Sequence, residues 1–146
     1  MADIEKIPQE QIDHICGNAI NDAKRFSIEL KFDDESIAKL EMLLGRINEF
    51  IKQNNVPGEI VSKMAVTYGV YLGETMLRCY AAEHGYGWEV INGEPVLYKD
   101  DANKIMPVTK VHKRLSRDIT ENVYNFYNIG KDVVNGTFEK KVNEAE

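Results

Sequence analysis

Residues 57–84 constrain the fold more than any other stretch of this chain. At helical spacing, Val61, Ala65, Tyr68, Leu72, Met76 and Cys79 form one apolar face. Ile60, Met64 and Tyr71 widen it on one side, and Val66, Gly69, Gly73, Leu77 and Tyr80 on the other. Only a narrow stripe of Lys63, Thr67, Glu74 and Arg78 is polar. A helix apolar around most of its circumference needs neighbours on several sides. Pro57 suits its opening and Gly85 and Gly87 its end. The charged residues inside it argue against a membrane span.

The flanking segments are expected to supply the cover. Residues 8–25 place Ile12, Ile15, Cys16, Ala19, Ile20 and Ala23 on one helical face, after Pro8. Residues 35–54 do the same with Ile37, Leu40, Leu43, Leu44, Ile47, Phe50 and Ile51, behind an Asp33 or Asp34 cap. A last helical region, 110–130, turns Val111, Leu115, Ile119, Val123 and Phe126 inward, with Thr109 as its cap and a break near 116–118. In Phe26–Phe32, Phe26, Ile28, Leu30 and Phe32 alternate with Ser27, Glu29 and Lys31, the period of a half-buried strand. Asn92-Gly93 between Trp88–Ile91 and Glu94–Tyr98 spells a hairpin with a type I′ turn.

The expected fold is therefore α+β. Four main helices, with 57–84 buried at the centre, accompany a small antiparallel sheet built on the hairpin 87–99. Residues 26–32 and 104–106 are candidate further strands. Residues 1–135 read as one domain, and the polar stretch 136–146 reads as a disordered tail.

The chain of 146 residues carries a net charge of −6. An acidic surface repels phosphate backbones, so nucleic acid is not an expected partner. Cys16 and Cys79 show neither a C-x-x-C pair nor zinc spacing, and both read as reduced core thiols. The N-terminal residues lack the basic and apolar regions of an export signal, so a cytoplasmic location is expected. No membrane association is expected.

Few motifs suggest chemistry. His14, His84 and His112 share no ligand spacing, so no metal and no other cofactor is expected. Gly69-x-x-x-Gly73 reads as a site of close helix packing; it lacks the features of a phosphate loop. Glu74 and Arg78, one turn apart, read as a pair, or as a buried carboxylate in a cleft. Trp88 reads as core, with a role as ligand platform as the alternative. Lys110, Lys113, Arg114 and Arg117 form a basic island with no acid between residues 108 and 117. That island reads as a solvated face, as an anion or acidic-partner site, or as an internal partner of Glu74 through Lys113 or Arg114.

Tyr68-Gly-Val-Tyr-Leu-Gly-Glu74, followed by Gly85-Tyr-Gly-Trp88 and by Lys113-Arg114-Leu115, resembles a family of uncharacterised bacterial domains of unknown function. The match covers roughly residues 35–130. The resemblance implies a small bacterial α+β domain and assigns no activity.

The residues favour a non-catalytic interaction or binding module, for example an immunity-type protein. A protein partner, or a second copy of the chain as a homodimer, fits that expectation. No catalytic residue is assigned. The candidate binding residues are Glu74, Arg78, Trp88, Lys113 and Arg114. The alternatives are a small-molecule or anion binder using these side chains, and a small enzyme with Glu74 as acid or base.

Overall fold

The computed structural model describes residues 4–136. The tail expected over 136–146 lies, beyond Gly136, outside the described residues. Helix α1 (Gln9–Lys24) starts directly after Pro8, whose φ of −63° leads into the first turn. Helix α2 (Asp34–Asn54) is capped by the Asp33 carboxylate, which accepts from the Ser36 amide at 2.8 Å. Asn55 adopts φ +48° and stops it.

The central helix α3 (Gly58–Met76) runs on through a π-helical segment, Leu77–Ala81, and a 3-10 turn, Ala82–His84, to Gly85 at φ +92°. The π segment inserts one residue into the turn and shifts the later face by one position. Regular spacing from Met76 puts Cys79 inside. Instead Tyr80 is buried, its hydroxyl donating to the Tyr127 carbonyl at 2.9 Å, and Cys79 is exposed. Cys16 is buried as expected, and burial pushes its thiol up to about 12.

Strands β1 (Ile4–Lys6), β2 (Gly87–Ile91), β3 (Glu94–Asp100) and β4 (Asn103–Ile105) form one antiparallel sheet in that order. Asn92 (φ +53°) and Gly93 (φ +82°) make the expected turn, with Ile91 opposite Glu94. Pro95 lies opposite Val90, and pairing to β4 begins only at Leu97, so Pro95 removes no ladder bond.

The expected strand at 26–32 does not form. That segment is irregular, and its backbone bonds to carbonyls at the end of α1 and to side chains rather than to a strand. The Tyr71 hydroxyl donates to the Lys31 carbonyl, and the Lys31 amide donates to Ser36 Oγ at 2.7 Å. Leu30 is buried and Ile28 and Phe32 partly so, but Phe26 is exposed. Alternation therefore described an extended segment with one apolar side, without supplying a strand to pair with. The strand that completes the sheet, β1, carries too few residues to show a period.

The last helical region is two helices. Helix α4 (Pro107–Ser116) starts at Pro107, so Thr109 is inside it and not its cap. A 3-10 turn, Ile119–Glu121, leads to α5 (Val123–Val134), capped by Asn122. Ile119 falls in the break and is exposed, against the inward position expected. The buried residues form one cluster around α3. Helix α4 crosses α3 at the two glycines: a Cβ at Gly69 would stand 2.6 Å from Val108 Cα, and one at Gly73 2.9 Å from Pro107 Cγ.

Candidate functional site

Glu74 is buried on α3, and its carboxylate is fully engaged. Trp88 Nε1 donates to Oε1 at 3.0 Å, Arg78 Nε to Oε2 at 2.8 Å, and Gln9 Nε2 to Oε2 at 3.4 Å. The indole lies against Gly73, which has no side chain to hold it away. The Arg78 guanidinium carbon stands 3.6 Å from the centre of the Phe32 ring. Glu74 thus ties β2, α1 and the 26–32 segment to the central helix. A buried carboxylate whose two oxygens both accept donors is suited to anchoring these elements.

The basic island does not reach Glu74. Residues 107 and 108 meet α3 at Gly73 and Gly69, whereas His112 and Lys113 share a groove with Ser62, Ala65 and Val66. The two helices therefore run in opposite directions. Eight residues of α3 separate Val66 from Glu74, about 12 Å along the axis. Arg114 turns instead to α2, where Nε and Nη2 donate to both oxygens of buried Glu41 at 2.8–3.0 Å. Gly45 leaves room for the guanidinium, and Glu41 also accepts from the Val123 amide at 3.0 Å. Lys110 and Arg117 both pair with Glu121. Lys113 alone of the four has no ion-pair partner among the described residues. The five sequence-derived binding residues are thus divided between two structural clusters and one surface lysine.

A different concavity opens between the end of α1, the second half of α2 and the middle of α3. Its volume is about 460 Å³, within the range of small-molecule sites. Phe26, Ile47, Phe50 and Met64 wall it, and Asp22, Arg25 and Arg46 stand at its rim. Phe26 is 46% and Phe50 59% exposed, although both sit on faces that periodicity assigns to the core. The ends of α2 and of the irregular segment extend past the elements that would cover them.

Tyr68 lines this cleft and is only 3% exposed. Its hydroxyl has no hydrogen-bond partner among the described residues. The other buried tyrosines of the central helix and its π segment, Tyr71 and Tyr80, donate to backbone carbonyls, so Tyr68 stands apart. Burial pushes the Tyr68 phenol up to about 12, with Asp22 raising it further and Arg25 opposing. The phenol is therefore neutral at ordinary pH and keeps its proton to donate. Arg25 Nη1 stands 3.7 Å from Asp22 Oδ1, whereas Arg46 has no ion-pair partner among the described residues.

Among the described residues no group of three or more His, Cys, Asp or Glu side chains is placed to hold a metal ion. No described helix is long and apolar enough to cross a membrane. Comparison of the chain with protein-family models, with curated proteins and with solved structures finds no match. The cleft has to be read from its own geometry.

Proposed function

We propose that the chain is a non-catalytic binding module, and that the cleft over Tyr68 is where it binds. The observation that carries this reading is the apolar cleft of about 460 Å³ beneath two exposed phenylalanines, in which the Tyr68 hydroxyl stays accessible and has no hydrogen-bond partner among the described residues. An accessible phenol with no protein partner is free to donate to a bound polar group. The walls offer apolar contact. The Glu74 carboxylate supports binding only indirectly, by fixing α1 and the 26–32 segment from which two cleft residues follow. This replaces the grouping of Glu74 and Arg78 with Lys113 and Arg114, which lie apart.

Heteronuclear NMR of the isotope-labelled chain, titrated with hydrocinnamyl alcohol as a neutral apolar probe, tests the reading. Shifts are expected at the amides of Phe26, Ile47, Phe50, Met64 and Tyr68, and Phe50→Asp is expected to abolish them. No shifts at these amides, or equal shifts in the folded Phe50→Asp protein, refute the proposal.

A further inference from the structure

We infer that the cleft takes a small amphipathic carboxylate, with its apolar body between Phe26 and Phe50 and its acceptor oxygens served by Arg46 and Tyr68. The inference rests on the reading of the cleft as the binding site and adds the chemical class of the ligand.

Three observations converge on that class. The walls are apolar, so the body of the ligand is apolar. The charged rim holds two arginines and one aspartate, and the aspartate stands 3.7 Å from Arg25. Arg46 is left as a cation at the mouth of an apolar site, on a protein whose net charge is −6. Repulsion by the rest of the surface disfavours anions elsewhere, so a local guanidinium confers selectivity as well as affinity. The third observation is the Tyr68 hydroxyl at the floor. Two arginines against one aspartate give the rim a net positive charge, which disfavours a cationic ligand. An arginine and a phenol that donate both complement acceptor oxygens. A larger anion such as a nucleic acid is excluded by the acidic surroundings and by the size of the cleft.

The full chain titrated in parallel with hydrocinnamate and hydrocinnamyl alcohol tests this, because the two probes share a body and differ in charge. Hydrocinnamate is expected to bind about tenfold more tightly, the equivalent of one charge-assisted hydrogen bond. Arg46→Glu is expected to remove that advantage, and its dispersed amide spectrum reports that the variant is folded. Tyr68→Phe is expected to weaken hydrocinnamate without lowering stability. Added salt is expected to narrow the gap between the probes. Equal binding of both probes at the cleft overturns the carboxylate inference and leaves the binding site standing. A hydrocinnamate advantage that survives Arg46→Glu also overturns it. Failure of both probes to shift the cleft residues overturns the inference together with the reading beneath it.

Discussion

Replacing Gly73 by alanine probes the contact that holds the hairpin and α4 against the central helix. The added Cβ would overlap Trp88 Cη2 and stand 2.7 Å from Cζ2 and 2.9 Å from Pro107 Cγ. Retreat of the indole is costly, because Nε1 is bonded to buried Glu74 at 3.0 Å and the ring is 8% exposed. Retreat of Pro107 displaces the start of α4, which rests on Gly69 one turn away. Overpacking a core of this kind costs about 1–3 kcal/mol. Loss of a hydrogen bond to a charged group adds about 1.5–3 kcal/mol if the indole moves. Against these, alanine gains about 1 kcal/mol of helix propensity. The net expectation, if the indole moves, is a destabilisation of about 1.5–5 kcal/mol, a large part of the total for a domain of this size. Urea unfolding followed by the fluorescence of Trp88, the single tryptophan, reads both quantities. The midpoint should fall and the native emission should move as the indole environment changes. Gly17→Ala is the control: it is also within a helix, but nothing lies within 4 Å of its Cβ, so a gain of about 0.5–1 kcal/mol is expected. If Gly73→Ala is as stable as Gly17→Ala with unchanged emission, the close packing inferred at α3 is wrong.

Other consequences can be measured on the same protein. Arg114→Met leaves Glu41 buried without its guanidinium and should cost about 3–5 kcal/mol, while Glu41→Met with Arg114→Met should recover most of it. The double variant should stay about 1–3 kcal/mol short, because the Val123 amide then lacks its acceptor; full recovery in chemical denaturation would refute that role. Tyr68 has a folded pKa raised from the ordinary 10.0 to about 12, so its contribution is fully present below pH 10 and is lost as pH rises towards 12. Tyrosinate absorbance of Tyr68→Phe should lose a late-titrating component, and its alkaline loss of stability should be shallower. At the acid end, the Tyr127 hydroxyl and Lys131 hold the Asp34 carboxyl below its ordinary 3.8. Stability from that group is present above the ordinary value and is lost as pH falls through the depressed one, so Tyr127→Phe should weaken the dependence below about pH 4. An unaltered acid limb in that variant would count against the Asp34 contact.

Much of the architecture is legible along the chain because it is local. The apolar girdle of α3, the capping aspartate of α2 and the Asn92-Gly93 turn each depend on residues within a few positions of one another. The two glycines at 69 and 73 likewise announce close packing, though not against what. Errors arise where a local signal needs a distant partner. The alternation in 26–32 specifies an extended segment, but a strand exists only when another backbone lies beside it. The Cys79 position depends on one extra residue in the π segment, which no spacing rule anticipates. The basic island is visible in the sequence, but its pairing with Glu41 and Glu121 depends on the opposed directions of α3 and α4.

The candidate site divides in the same way. Sequence alone determined that Phe26, Phe50 and Tyr68 lie on apolar faces, and that Arg46 lies outside the core face of its helix. Tertiary structure alone decided that the first two are left uncovered, that Tyr68 lies beneath them with no hydrogen-bond partner for its hydroxyl among the described residues, and that Arg46 stands at the opening. Hydrophobic periodicity records which side of an element avoids water. Whether a neighbour reaches far enough to cover that side depends on the lengths and crossings of elements distant in the chain. Between the end of α1, the second half of α2 and the middle of α3 those crossings leave a cleft.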